Sequence, residues 1–387
     1  MKYWFAIVVM LCATTTQAWE VRVHPGVKLF LYPSSTEATR AGLYTGVIQN
    51  IAVVNTGPQP SQLESLKVTA FKDSQPLGSV SISISEMEEM AQKFSKYDEL
   101  GVLQMYDFQF QTEAYLPGVQ FATDRNLEPN HALVISSVPM LFIEQPDHLL
   151  IEAVGQSASG ARVSSQSSLQ VIVPENRGNY IFPLTGRWYI GGAPSLHSHH
   201  RWGTIQEFAF DMVQVGASGY HYQDEGTRLS DHYAYGKDVV SIADGQVVAA
   251  VDGREESSAN LQQTGESDEE YFERTVARQQ ELLAKGVEYA FGNYVIIEHE
   301  GSEFSYTLHL KTGSVRVKRG DVIKQGQVLG QVGHSGNSDA PHLHFHLADG
   351  PELTSSRSIP IFFSNVKNVL DQGESGALQS GDLVITK

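Results

Sequence analysis

From Val21 to about Val173 apolar and polar positions alternate in short runs separated by turn clusters: IQNIAVVNTG, SLKVTAF, HALVISSV, LLIEAVG and SLQVIV. A period of two marks half-buried strands, and a series of them joined by turns predicts an antiparallel β-sandwich. One stretch changes period. Ser85 and Glu88 have capping-box spacing, and Met87, Met90, Phe94 and Tyr97 then recur at helical intervals. A helix with a core-packing stripe therefore interrupts the strands. PENRGNY, Pro174 to Tyr180, reads as a linker. Beyond it strands resume in FAFDMVQV, DVVSIADGQVVAAV, GNYVIIEHE, FSYTLHL and VLGQVG, so the second half is all-β too. Between these strands Glu255 to Glu288 is polar and ends in a helix that Ser267 and Glu270 cap and Gly286 stops. It reads as an inserted surface element, with a lid over a cleft as the alternative.

The other end of the chain carries a different pattern. Lys2 precedes the apolar run Phe5 to Cys12, followed by ATTTQA with small residues at Thr16 and Ala18. That is the layout of a secretory signal peptide, residues 1–18, cut after Ala18. The run is short for a membrane span, and Leu11 before Cys12 argues against a lipoprotein site. Cys12 is the only cysteine, so the mature chain has no disulfide, thiol nucleophile or thiolate metal site. Any metal must be held by His, Asp or Glu. The formal net charge of −17 argues against nucleic acid and anionic lipid surfaces as partners.

Eleven of the fourteen histidines lie at or beyond His197. In PHLHFHL, His342, His344 and His346 share one face of a strand, while Leu343, Phe345 and Leu347 share the other. Same-face neighbours are roughly 6.6 Å apart, close enough for two imidazoles to reach one site. In FSYTLHL, His309 is expected to project opposite Leu308 and Leu310. Asp211 sits amid Phe208, Ala209, Phe210, Met212 and Val213, where an unpaired carboxylate is costly, so a cation should face it. HSHHRWG, with His197, His199 and His200, leads into that strand. His232 and Asp238 could mimic a ligand pair, but six residues of extended chain between them span roughly 20 Å.

In this order, GKDVVSIADGQVV, GNYVIIEHE, SYTLHL and VKRGDVIKQGQVLGQVGHSGNSDAPHLHFHL resemble the lysostaphin and LytM-type zinc endopeptidases that cut peptidoglycan peptides. The resemblance runs from about Tyr180 to Phe363, and Gly320 to His344 is its most specific part. It implies one zinc per chain, held by a histidine, Asp211 and His344, with His309 and His342 catalytic. The family spaces its first two ligands as HxxxD; here His200 stands eleven positions before Asp211. Relatives with an HR pair before such a strand favour His200 over His199 or His197. His346 is expected behind the ligands or toward solvent, and His299 and His334 are read as structural.

The expected architecture is all-β. An N-terminal Ig-like β-sandwich with a helical excursion (19–173) and a linker (174–180) precede a LytM-type antiparallel β-sheet peptidase domain (181–372) with an insertion at about 255–288. Residues 373–387 form a tail. The implied function is an exported, periplasmic or secreted zinc metalloendopeptidase acting on the peptide stems of peptidoglycan, with no membrane span after signal cleavage and with a regulatory protein as a further partner. One rival is an inactive LytM-type domain that activates a cell-wall amidase, although such domains have usually lost ligands that this chain keeps. VKRGDVIKQGQVLG also resembles biotinyl and lipoyl carriers, but HxH and a secretion signal do not belong with those.

Overall fold

The computed structural model describes residues 18–33, 43–369 and 377–386. The segment expected to be a signal peptide lies, apart from Ala18, outside the described residues. No described helix is long and apolar enough to cross a membrane.

The first half is built from two sheets packed face to face. Trp19–His24, Tyr44–Asn55 and His131–Phe142 are antiparallel neighbours in one sheet. Ser61–Lys72, His148–Ser157 and Arg162–Ile172 are antiparallel neighbours in the other. Ile51, Val53 and Ile135 from the first meet Leu66, Val68, Leu149 and Ile151 from the second in a common core. The opposite side of the first sheet is also covered: Ala52, Val54, Ala132 and Val134 pack with Phe94 and Leu103. Strand Tyr44–Asn55 is therefore buried on both faces, and Ile51 to Val54 form a continuous apolar run within it.

The helix that covers this sheet spans Ile84–Glu99 and buries Met87, Ala91 and Phe94. Its cap is not the expected one. Ser83 is the N-cap, with extended backbone, and its hydroxyl accepts from the Glu86 amide at 3.1 Å. Ser85 falls inside the first turn, and Glu88 instead accepts from Arg125 Nε at 2.7 Å. Three single-turn helices, Val102–Met105, Asp107–Phe110 and Thr112–Tyr115, return the chain to the sandwich.

The second half is a ten-stranded antiparallel sheet. Its centre runs Gly245–Val251, Asn293–Glu298, Phe304–Leu310, Leu343–Ala348, Phe210–Val213 and Arg187–Gly192. Alternation splits its side chains between two clusters: Val295, Ile297, Phe210, Leu343 and Phe345 pack on one face, and Tyr294, Ile296, Tyr306 and Leu308 on the other. The segment expected as a tail supplies a strand, Leu383–Thr386, paired with Arg187–Gly192 and with Val366–Asn368. Its alternating Leu-Val-Ile-Thr is short enough to be missed, yet Val384 is fully buried. The insertion folds as the helix Asp268–Lys285, with the Ser267/Glu270 capping box expected of it.

The two halves are in direct contact. Tyr32 Oη donates to Leu378 O at 2.8 Å, Gln379 Nε2 to Pro33 O at 2.9 Å, and Gln111 Nε2 to Thr354 O at 2.8 Å. The rings of Tyr32 and Phe362 stack at 6.0 Å.

Candidate metal centre

Register brings the chemistry together. Leu343–Ala348 runs between Phe210–Val213 and Phe304–Leu310, with His344 opposite both Asp211 and Leu308, and His346 opposite Tyr306. The apolar face of PHLHFHL enters the core through Leu343, Phe345 and Leu347. Its histidine face meets Asp211: His344 Nδ1 lies 3.0 Å from Oδ1, and His342 Nε2 lies 3.5 Å from the same oxygen. The Asp211 side chain stays 19% exposed, opening into a cleft rather than the core.

HSHHRWG forms a short 3-10 turn, His199–Trp202, that folds back over this face. His200 is buried, and its Nε2 lies 2.7 Å from Asp211 Oδ2. His199 is largely exposed, with Nε2 at 3.9 Å from the same oxygen. The rings of His200 and His344 cross at 4.9 Å and 80°. Among the described residues two groups could hold a metal ion, His309–His342–His344 and His199–His200–Asp211, each with donor atoms within 4.8 Å of one another. They are contiguous through the His344–Asp211 contact. His197 belongs to neither.

His309 reaches the site by a route that simple alternation misses. Its φ is +61°, a left-handed conformation uncommon outside glycine. Leu308 and Leu310, expected on one face, consequently enter different clusters. Leu308 and His309 both line the cleft, and the His309 ring lies 5.0 Å from His342 and 5.8 Å from His344. Backbone held in such a conformation costs of order 1–3 kcal/mol and clusters at functional sites.

Hydrogen bonds set the tautomers. His309 Nδ1–H donates to Ser335 O at 2.8 Å and His342 Nδ1–H to Ala340 O at 2.7 Å, which leaves each Nε2 for the cleft. His344 Nε2 and His346 Nδ1 are 3.2 Å apart. With His344 Nδ1–H donating to the carboxylate, its Nε2 accepts from Nδ1–H of His346, which stacks on Tyr306 at 4.5 Å. His346 thus stands behind His344 and orients it.

Electrostatics follow the same geometry. Burial opposes ionisation of Asp211, but His200 and His342 outweigh it and hold the carboxyl well below the usual range. Burial, with the charges of His342 and His344, keeps His309 well below an ordinary histidine. Burial brings His344 down to about 4. Burial also works against His342, yet Asp211 dominates and pushes it up to about 9. The carboxylate thus attracts one positive charge, either a proton on His342 or a cation among the ligand atoms. Two imidazole nitrogens and a carboxylate converging without sulfur fit a divalent transition metal with a coordination position left open.

The remaining histidines are placed elsewhere. His299 is held by Asp244 O at 2.9 Å and Ser305 Oγ at 2.8 Å, and His334 by Ser338 Oγ at 2.9 Å. His232 bonds Gly226 O at 3.0 Å, whereas Asp238 sits on a separate two-stranded sheet. The cleft above the centre, about 430 Å³, has walls that strand patterns do not reveal. Phe108 and Gln109 come from the sandwich's helical excursion, and Thr275, Gln279 and Leu283 from the insertion helix. The latter three recur every fourth residue, a helical stripe visible in sequence.

Residues 275–354 match the model of peptidase family M23. That span includes His309, His342 and His344 but not His200 or Asp211. The peptidoglycan DD-endopeptidase ShyA of Vibrio cholerae is 39% identical over 56 residues, 14% of this chain and 13% of that protein. Lysostaphin of Staphylococcus simulans is 43% identical over 58 residues, 15% of this chain and 11% of that protein. The aligned stretch thus spans about an eighth of the length of these relatives. The catalytic domain of S. simulans lysostaphin is a structural match at 18% identity, covering 45% of this chain and 88% of that domain with a TM-score of 0.24.

Proposed function

We propose, from the match of residues 275–354 to peptidase family M23, that this chain carries a domain of the lysostaphin and LytM type and is an exported zinc endopeptidase hydrolysing the peptide cross-links of peptidoglycan. The observation that carries the reading is the convergence of His200, Asp211 and His344, with His309 and His342 beside them, at the floor of one cleft. His200 Nε2, an Asp211 oxygen and His344 Nδ1 would hold the ion. Bound there, zinc supplies Lewis acidity, lowering the pKa of a water and polarising the scissile carbonyl.

The chain's own groups do the rest. With Nδ1–H committed to Ser335 O, His309 presents an Nε2 lone pair that orients the water and takes its proton. His342, committed likewise to Ala340 O, directs Nε2 into the cleft, where in its protonated form it stabilises the oxyanion and returns a proton to the leaving amine. His346 holds the His344 ring. The N-terminal sandwich, contributing Phe108 and Gln109 to the cleft wall, acts as a positioning or covering domain. The apolar leader in the sequence and the peptidoglycan endopeptidases among the relatives support a periplasmic or secreted location.

A non-enzymatic activator of a wall amidase is the second reading, and the retention of every ligand and catalytic position weighs against it. Digestion of purified sacculi with the mature protein, followed by mass spectrometry of the new termini, tests the proposal. Soluble fragments bearing new amino and carboxyl termini within the stem peptides are expected. Intact sacculi, digested only after an amidase is added, would support the activator.

A further inference from the structure

Arg201 directly follows His200, and Glu207 stands four residues before Asp211, so both lie in the loop that joins two ligands of the centre proposed above. Both side chains are 0% exposed. The backbone carbonyl of Arg201 accepts from Gln49 Nε2 at 2.9 Å, its Nη2 donates to Thr45 O at 3.3 Å, and its guanidinium lies 4.9 Å from the Phe208 ring centre. Thr45 and Gln49 belong to Tyr44–Asn55, the central strand of the N-terminal sandwich. Glu207 faces Arg201 at 3.7 Å and Arg357 at 4.0 Å. Arg357 in turn donates to Lys28 O at 2.8 Å, again in the sandwich.

Two guanidiniums and a carboxylate this deep carry a heavy desolvation cost, which well-packed apolar residues would avoid. Their ion-pair distances are too long for strong pairing. What the group does achieve is to fasten the loop between His200 and Asp211 to the other half of the molecule from both ends.

We infer that Arg201 is a positioning residue for the metal centre: it seats the His200 loop on the N-terminal sandwich, so that the sandwich is an outer support of the metal site. This rests on the reading of His200 and Asp211 as ligands. Outer supports of metal ligands are worth about 10–100-fold in affinity, so loosening this one should weaken zinc without removing any donor atom. An interface that merely holds two halves together would instead change stability and leave the zinc affinity of the folded protein untouched.

The test uses the full mature chain in two variants. Arg201→Met/Glu207→Gln removes the anchor together with the carboxylate that faces it and leaves Arg357 with the charge of Asp349, and Gln49→Ala cuts the Gln49–Arg201 bond from the sandwich side without altering the loop's own residues. Zinc dissociation constants from competition with a chelator are read beside circular dichroism and urea unfolding of the metal-free proteins. Both folded variants are expected to bind zinc about tenfold more weakly than wild type. Wild-type affinity in both overturns the inference and leaves the ligand assignment standing. If the double variant does not fold, Gln49→Ala decides by the same criterion. A wild-type protein that binds no zinc overturns the ligand reading, and the inference with it.

Discussion

His309 and His342 each spend Nδ1–H on a backbone carbonyl, Ser335 and Ala340, and offer only Nε2 to the cleft. Replacing either by Ala removes a proton-handling group and no proposed ligand atom. Hydrolysis of sacculi should fall by about 10²–10⁴-fold while zinc stays bound, measured by turbidity loss and metal analysis. Loss of zinc from His342→Ala as complete as from His344→Ala would break that division of labour. In the proposed ligand loop, His200 Nε2 is 2.7 Å from Asp211 and His199 Nε2 is 3.9 Å away. His200→Ala should therefore weaken zinc at least about tenfold, whereas His199→Ala and His197→Ala stay near wild type in the same titration. If His199→Ala alone loses the metal, the ligand has shifted by one residue. That His342 and His344 share a face was legible in sequence from strand alternation, and that Asp211 needs a cation was legible from its apolar neighbours, whereas their separate roles rest on the family resemblance. Which of His197, His199 and His200 returns to Asp211 was favoured only by that resemblance, because nothing local says how the ten residues between His200 and Asp211 fold back. The orientation of His309 was not legible either, because a single positive φ overrides alternation.

At the level of elements, the insertion helix Asp268–Lys285 is tied to the loop that precedes the HxH strand. Arg278 donates from Nη1 to Ser338 O at 3.0 Å and also to Gly336 O, and Tyr271 Oη donates to Asp339 O at 2.7 Å. Arg278→Met removes charge-assisted bonds to two carbonyls and should destabilise the protein by about 1–2 kcal/mol in urea unfolding. An unchanged midpoint would mean that helix and loop are independent. The helix itself could be read from Ser267, Glu270 and Gly286, since caps are local chemistry. Its packing over the cleft was visible only as the stripe Thr275, Gln279 and Leu283, which the many charged residues around it obscure. The excursion helix shows the limit of cap reading. Ser83 and Ser85 both suit an N-cap, and the pull of Arg125 on Glu88, 37 residues apart, is a tertiary contact that local spacing cannot register.

For the molecule as a whole, both sheet systems could be inferred from period two, but not how they meet. Contacts such as Tyr32 with Leu378 join residues 346 apart and leave no periodic trace. A metal bound only by the folded state should stabilise the whole assembly, by about 4 kcal/mol when free zinc exceeds its dissociation constant a thousandfold. At roughly 2–4 °C per kcal/mol, chelation should lower Tm by on the order of 10 °C, and zinc should restore it. A melting curve indifferent to chelator would contradict the linkage. The central claim, that His200, Asp211 and His344 form a working metal centre, is tested most directly by the zinc content of the mature protein purified without added metal. One zinc per chain in the wild type and in His309→Ala, and none in His344→Ala or Asp211→Ala, is the predicted result. A correctly folded wild-type protein with no zinc and no measurable affinity for it would contradict the account and favour the activator reading.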